Sequence, residues 1–290
     1  MSETAWPLAL PQRLRVNGVD LSEYATIAES LAGLMTIPKR RGDNLHVPGR
    51  HGTLHTARKL YDENDIVIPF LIAGSMADGS MPIGSTDREE LYHRADELCR
   101  VFAADQVTLE HALPDHTSRQ LTGEVLDVVS FTRNLGAYPI IASVKVAIRA
   151  AYPFWVDSHS VTASLTVTSG GQALLAEFAP STAPIDKMVV TFVGPISNPT
   201  IAVPSTGVYL AYDRVIPAGQ KLVIDTSAWT LSPGDGAPWT VNYGLLRHGG
   251  ASGRWFEIPP ASPAPTVALT HTGGGTATAT ITAANTYLIG

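Results

Sequence analysis

The sequence predicts a mainly β protein of two domains. Gly and Pro together supply 46 of the 290 residues, which favours a chain with many turns. Short apolar segments with period-two alternation recur along the chain, as expected for strands. Charge is uneven, because residues 1–153 hold 34 charged side chains and residues 154–290 hold only 12. We therefore place the domain boundary between Pro153 and Phe154, within the segment Tyr152-Pro153-Phe154-Trp155.

The overall composition excludes several classes of protein. Hydrophobic residues make up 44% of the chain, too many for a disordered protein. The net charge of −6 argues against a dedicated nucleic-acid binder. No apolar run reaches the length of a membrane span, and the N-terminus lacks the pattern of a signal peptide. A single cysteine, Cys99, cannot form an internal disulfide, so we expect a soluble protein made in a reducing compartment.

Two hairpins are expected near the N-terminus. Asn17-Gly18 separates two short apolar segments, and this dipeptide is a strong signal for a two-residue hairpin turn. The segment Val47–Leu54 repeats the arrangement around the turn Pro48-Gly49.

Three longer strands follow in the first domain. Residues Asp65–Ala73 form a nearly continuous apolar run, typical of a buried strand, and Pro69 predicts that this strand lies at an edge or a bulge. Residues Ser118–Arg133 and Ala137–Ala151 alternate with period two and predict two long strands.

One helix is expected over residues 87–102. Thr86-Asp87-Arg88-Glu89 matches a capping box, in which two side chains bind the free amides at a helix start. An apolar stripe follows, made of Leu91, Ala95, Leu98, Cys99 and Phe102. We expect this stripe to cover one face of a sheet.

Short strands at intervals of about ten residues characterise the second half, as in a sandwich or jelly roll. The expected strands are Val189–Val193, Thr200–Val203, Val208–Tyr212, Lys221–Asp225, Thr240–Leu246, Arg254–Ile258, Val267–Thr270 and Thr276–Thr282. No segment suits the helix of a parallel crossover, so we expect antiparallel sheets.

The sequence contains no recognisable catalytic or cofactor-binding signature. A P-loop, a dinucleotide fingerprint and a nucleophile elbow are all absent. His46, His51 and His55 could bind zinc, but the turn between them favours a solvated hairpin. We predict no catalytic residues, no cofactor and no metal.

Two groups of residues are candidates for binding. The run Lys39-Arg40-Arg41 could meet phosphate, although in an acidic protein it is better interpreted as a loop that pairs with carboxylates of a neighbour. Trp229 and Trp239 could stack on sugar rings, and the alternative is that both pack in the sandwich core.

The basic residues also favour an assembly protein over an enzyme. Arginine supplies 15 of the 20 basic residues. Arginine is enriched at protein interfaces because its planar guanidinium is weakly hydrated and makes forked hydrogen bonds.

The order of the landmarks resembles the distal tail proteins (Dit) of long-tailed, siphovirus-type bacteriophages, often called minor tail proteins in phages of actinobacteria. The resemblance is carried by Val16-Asn17-Gly18-Val19, Val47–Gly52, the single helix and Tyr152–Trp155. It continues through Gly194–Pro199, Ile224-Asp225-Thr226 and Gly253-Arg254-Trp255-Phe256. It covers nearly the whole chain, and the segment after Pro265 matches least.

The resemblance implies a structural virion protein without catalytic residues. Its N-terminal domain would be a β-sandwich with one helix that forms a hexameric ring, and its C-terminal domain a galectin-like β-sandwich. The ring would join the tail tube to the tip or baseplate hub and leave a channel for DNA. Lys39, Arg40, Arg41, Arg50 and His51 are then the candidate interface residues, with the turn at 48–52 and the helix as contact elements.

The resemblance also implies partners and a location. The partners would be further copies of the chain, the major tail tube protein and the tail-tip hub protein, with the tape measure protein and receptor-binding proteins as further candidates. DNA would only pass through the channel, and no membrane insertion is expected. The location would be the distal end of the tail, after assembly in the host cytoplasm.

Two other functions remain open from the sequence. The C-terminal domain could be a lectin-like module that binds a host receptor through Trp229 and Trp239. A glycan hydrolase is the third candidate, but the few carboxylates of the second half form no recognisable pair.

Overall fold

The protein consists of two compact units. The computed structural model describes residues 14–21, 25–27, 34–42, 45–46, 53–54, 60–73, 87–113, 117–133, 141–234, 240–250, 255–273 and 276–290. The first unit comprises residues 1–158 and 288–290, and the second comprises residues 159–287. The boundary expected between residues 153 and 154 therefore lies inside the first unit.

The first unit is mainly β with one helix among its described residues. Its strands are β1 (Leu14–Val16), β2 (Val19–Asp20), β3 (Thr26–Ile27), β4 (Arg40–Arg41), β5 (Leu45–His46), β6 (Thr53–Leu54), β7 (Leu60–Tyr61), β8 (Asn64–Ala73), β9 (Gln106–Ala112), β10 (Ser118–Arg133) and β11 (Ile141–Ala150). The strand β12 (Trp155–Thr168) begins in this unit and continues into the second. All the strand pairs described are antiparallel, as expected.

The first predicted hairpin is present, and a strand pair flanks the segment predicted to form the second. β1 pairs with β2, and Asn17 and Gly18 between them have positive φ angles of 51° and 82°, the conformation that this two-residue turn requires. The Asn17 side chain also accepts a hydrogen bond from the Thr108 backbone N–H at 2.9 Å, which holds the turn against β9. β5 pairs with β6, while the intervening residues 47–52 lie outside the described residues.

The three long strands β10, β11 and β8 and the short strand β3 are neighbours in one sheet, in the order β10-β11-β8-β3. β8 pairs with β11 along its whole length but with β3 only at Phe70 and Leu71. Of the two positions expected for Pro69, the bulge is not observed, because this residue pairs in register with Lys145, whereas β3 does not reach it on the other side. The strand still has a full-length partner on only one side among the described residues, and this tolerates a residue without an N–H group.

The helix α1 runs from Asp87 to Val101 and packs on β8. Leu91, Ala95, Leu98 and Phe102 are buried, and the Phe102 ring lies 5.8 Å from that of Phe70. Cys99 was expected in this stripe but is exposed. The buried stripe of the helix is therefore narrower than predicted. Thr86 of the expected capping box lies outside the described residues. None of the described helical segments has the length and apolar character of a membrane span.

The second unit is a sandwich of two antiparallel sheets. Its further strands are β13 (Gly171–Leu174), β14 (Val189–Val193), β15 (Ile196–Val203), β16 (Val208–Tyr212), β17 (Val215–Ile216), β18 (Lys221–Asp225), β19 (Thr230–Pro233), β20 (Leu246–Gly249), β21 (Thr266–Thr272) and β22 (Thr276–Tyr287). One sheet has the order β19-β18-β14-β22-β12, and the other has the order β13-β21-β15-β16-β20. Side chains of both sheets, such as Phe192 and Leu210, share one apolar core.

Two strands expected in the second unit are not formed. Residues Thr240–Leu246 contain a 3-10 turn over Tyr243–Leu245 instead, because the Asn242 side chain accepts a hydrogen bond from the Gly244 N–H at 2.9 Å. The described part of Arg254–Ile258 makes only an isolated bridge between Ile258 and Ile185.

The final segment belongs to both units. β21 and β22 each complete one sheet of the sandwich, and residues 288–290 then count with the first unit. There the Gly290 N–H donates to the Leu34 carbonyl at 3.0 Å, and Arg119 donates to the Ile289 carbonyl at 2.9 Å. Gly290 also lies against the buried indole of Trp155, so close that an added Cβ would be 2.6 Å from the ring.

Candidate functional site

The basic run of the first unit forms part of a small antiparallel ladder. Arg40 and Arg41 make up β4, and they pair with Tyr61 and Leu60 of β7. The Arg40 guanidinium donates to the Tyr61 hydroxyl at 3.3 Å, and its central carbon lies 5.4 Å from the ring centroid. Tyr61 in turn packs edge-on against buried Phe154 at 5.1 Å. The ladder and the tyrosine therefore fix the position of a positive charge at the surface.

Exposed apolar side chains precede these charges in the chain, and another is the ladder partner of Arg41. Met35 is 50% exposed, Ile37 is 59% exposed and Leu60 is 49% exposed. We call these three residues, together with Lys39, Arg40 and Arg41, the basic-apolar patch. Exposed apolar side chains beside arginines are typical of the centre and rim of a protein interface rather than of a phosphate site.

The outward face of the neighbouring sheet is also partly apolar. Val67 and Leu71 of β8, which alternate with the buried Ile66, Ile68, Phe70 and Ile72, have exposed side chains. The solvent face of an antiparallel sheet is ordinarily polar. An exposed valine and an exposed leucine on this face therefore favour contact with another protein.

A cluster of ion pairs lies at the start of β8, next to these exposed apolar side chains. Arg149 of β11 makes a two-pronged contact with Asp65, at 2.8 and 3.2 Å, and also lies 3.3 Å from Glu63. The hydrogen bond from Arg149 lowers the pKa of Asp65.

The remaining predicted interface residues cannot be placed. Arg50 and His51 lie outside the described residues, between the paired strands β5 and β6. The three-histidine site suggested by the sequence likewise falls largely outside them. Among the residues that the structure describes, no group of three or more His, Cys, Asp or Glu side chains could hold a metal ion.

The second unit places Trp229 in a sharp turn between β18 and β19. The Asp225 carboxylate accepts hydrogen bonds from the Ser227 hydroxyl at 2.6 Å, the Ser227 N–H at 2.8 Å and the Ala228 N–H at 3.3 Å. These bonds, led by the one from the Ser227 hydroxyl, lower the pKa of Asp225. Trp229 follows with φ +52°, a left-handed conformation that costs a bulky residue on the order of 1–3 kcal/mol.

Three aromatic rings meet at this turn. The Trp229 ring lies 4.5 Å from the Trp255 ring and 4.9 Å from the His248 ring, and it is tilted against both. His248 and Trp255 stack nearly parallel, with centroids 4.7 Å apart and an interplanar angle of 17°. We call Trp229, His248 and Trp255 the aromatic triad.

Different strands hold the members of the triad in place. Trp229 is half-buried against the sandwich core, and His248 lies opposite Leu210 in the ladder of β20 and β16. Phe256, which is fully buried, anchors the segment that carries Trp255. Trp255 itself remains 59% exposed. The alternative that Trp229 packs in the core is thus correct in part, because Trp229 is partly buried against it, while Trp239 lies outside the described residues.

The sequence analysis missed His248 and Trp255 as site residues. In the sequence, Trp255 stands out only as part of the landmark Gly253-Arg254-Trp255-Phe256. No sequence pattern marks His248 as a binding residue. A tryptophan directly before a phenylalanine in an extended segment was the available hint, because alternation buries one of the two rings and exposes the other.

Comparison with known proteins adds one informative match. The crystal structure of the SPP1 Dit (gp 19.1) protein, described as a paradigm of the hub adsorption apparatus in phages infecting Gram-positive bacteria, aligns with a TM-score of 0.59 and 14% identity. The alignment covers 93% of this chain and 98% of that one. The baseplate of phage p2 in its activated conformation aligns over 94% and 98% at 10% identity, with a TM-score of only 0.38. The sequence matches no protein-family model and no curated protein.

These matches bear on the fold. The mainly β architecture and the resemblance to distal tail proteins, both expected from the sequence, are confirmed at the level of the fold. The galectin-like assignment of the second domain stays a prediction.

Proposed function

We propose that this chain is a structural protein of a bacteriophage virion, located in the tail tip or baseplate. It forms a ring, most simply a hexamer, that joins the tail tube to the hub and leaves a channel for DNA. The observation that carries the proposal is the alignment with the SPP1 Dit protein across both units, over 93% of this chain. We propose no enzymatic role, in line with the absence of a catalytic motif in the sequence.

The first unit supplies the contacts between copies in this proposal. Its basic-apolar patch offers apolar side chains that exclude water and arginines that pair with carboxylates. The whole chain has a net charge of −6, so a neighbouring copy offers the carboxylates that these arginines require. The predicted turn at 48–52, with Arg50 and His51, is a second proposed contact.

The other proposed partners are the major tail tube protein and the tail-tip hub protein, with the tape measure and receptor-binding proteins as further candidates. Assembly would take place in the host cytoplasm. The second unit, which carries few charges, serves as the docking platform in this proposal.

Electron microscopy tests the proposal in two steps. Negative-stain images and light scattering of the purified full chain should show rings with six times the mass of one chain. Antibodies against the chain should label the distal end of the tail on virions of the phage that encodes it. A strict monomer together with unlabelled tail tips would refute the proposal.

A further inference from the structure

The aromatic triad of the second unit leaves an exposed indole surface. His248 covers one face of the Trp255 ring by stacking, and Trp229 leans against both rings. Trp255 nevertheless keeps 59% of its surface exposed. A tryptophan that only closed the edge of the sandwich core would bury more of its large apolar surface.

The backbone holds this indole in a fixed position. Phe256 is fully buried next to Trp255, and Ile258 forms a two-way backbone bridge with Ile185, with bonds of 2.8 and 2.9 Å. On the opposite side, three hydrogen bonds to the Asp225 carboxylate maintain the turn that forces Trp229 into its left-handed conformation. Strained backbone of this kind persists where surrounding structure determines it, and it clusters at binding sites.

The surroundings of the triad are polar, and the unit that carries it has few charges. Ala228 and Thr230 flank Trp229 in the turn, where the Ser227 hydroxyl donates to the Asp225 carboxylate, and the Tyr209 hydroxyl lies beside Gly249, the neighbour of His248. Arg247, which precedes His248, points to the other face of β20 by strand alternation and forms an ion pair with Asp213. Residues 154–290 hold only 12 of the 46 charged side chains of the protein. An exposed aromatic face held in a fixed position, on a unit with few charges, suits a neutral ligand that has an apolar face of its own.

We propose that Trp255, supported by Trp229 and His248, is a stacking platform for the pyranose ring of a neutral carbohydrate. The indole face is electron-rich, and the axial C–H bonds of a pyranose present a weakly positive apolar face to it. A quaternary ammonium ligand fits less well, because the three rings touch one another and enclose no cage. A nucleobase fits less well because its phosphates would require basic side chains. This site does not depend on the tail role, since binding is a property of the soluble chain.

Saturation-transfer difference NMR on the full-length protein tests this site. The probes are methyl β-D-glucopyranoside, methyl β-D-galactopyranoside and N-acetyl-D-glucosamine. We expect saturation transfer to at least one of them, strongest at the protons of its axial C–H face. Trp255→Ala should reduce the transfer at least tenfold, while Trp255→Phe, which keeps an aromatic face, should retain part of it.

Tyr243→Ala is the matched control, because Tyr243 is a 51% exposed aromatic of the same unit outside the triad. This variant should bind like the wild type, and all variants should keep the wild-type amide spectrum away from the substitution. Absence of transfer from every probe, or equal transfer in wild type and Trp255→Ala, would overturn the proposal. If the wild type binds no sugar and Trp255→Ala instead prevents incorporation into tails, the triad is a protein contact and the carbohydrate assignment is wrong.

Discussion

The surfaces of the two units differ in composition. The first unit holds most of the charged residues, yet nine of the thirteen exposed large apolar side chains among the described residues also lie in it. The second unit has few charges, but its β22 strand, TATATITAANTY, turns alanines and an isoleucine inward and threonines outward. Thr162 and Thr282 share a hydrogen bond of 2.8 Å across neighbouring strands on that outer side.

This comparison shows that a low charge content does not imply an adhesive surface. Threonines line the outer side of β22 in the second unit, whereas the more charged unit holds most of the exposed valines, leucines and isoleucine. Such a mixture of apolar and arginine-rich surface is what a protein interface requires. This composition supports the proposal that the first unit makes the contacts between copies.

The largest expected effect follows from removing the apolar part of the basic-apolar patch. Ile37→Lys combined with Leu60→Lys places two positive charges beside Lys39, Arg40 and Arg41. These charges would have to be desolvated in the interface, so we expect the assembled fraction to fall at least tenfold. Light scattering at equal protein concentration measures this fraction.

Leu174→Lys is the control for that variant, because Leu174 is 60% exposed but lies in the second unit. It should leave assembly unchanged. Equal loss of assembly in both variants would show that the contacts are not confined to the first unit.

A smaller effect is expected at the end of the chain. The Cβ of Gly290→Ala would meet the Trp155 indole at 2.6 Å, and Trp155 is fully buried. Overpacking of this kind costs about 1–3 kcal/mol in free energy of unfolding. Hydrogen exchange should become faster in β1, β9 and β10 of the first unit, while β14 and β18 of the second unit keep their wild-type rates. The opposite pattern would contradict the assignment of residues 288–290 to the first unit.

The smallest effect concerns two carboxylates with lowered pKa values. Asp65 owes its lowered pKa first to the hydrogen bond from Arg149, and Asp225 owes its own first to the Ser227 hydroxyl. Because folding lowers both pKa values, each carboxylate stabilises the fold above its usual pKa near 4, and this stabilisation is lost as the pH falls below that range.

High salt should affect the pKa values of these two carboxylates differently. High salt screens the exposed ion pair of Asp65 but not the neutral hydrogen bonds of Asp225. NMR titration in 1 M NaCl should therefore move the pKa of Asp65 towards its usual value and leave that of Asp225 nearly unchanged. Equal shifts of the two pKa values would contradict this account.

Much of the fold could be predicted because local patterns determine it. Asn17-Gly18 specifies its turn by positive φ, and the spacing of Leu91, Ala95 and Leu98 specifies the helix face. Residues 254–258 alternate as a strand does, and Phe256 and Ile258 are indeed buried, but only one bridge forms. Whether an extended segment finds a partner strand depends on distant residues, which a local pattern does not include.

The candidate sites could be predicted only in part for the same reason. Trp229 and the run Lys39-Arg40-Arg41 were identified by residue type. Their neighbours were not, since His248 and Trp255 reach Trp229 only through the pairing of β20 and the anchoring of Phe256. The apolar members Met35, Ile37 and Leu60 look like ordinary core residues in the sequence, and only their exposure distinguishes them.

Hydrogen–deuterium exchange of the free chain and of the chain within purified tails tests the central claim most directly. Residues 36–39 belong to no strand, so cover by a neighbouring molecule should slow the exchange of their amides. We predict protection over residues 34–41 in tails, with little change in the exposed turn at 227–230 of the second unit. Unchanged exchange over residues 34–41, with protection only in the second unit, would contradict the claim that the first unit makes the contacts between copies.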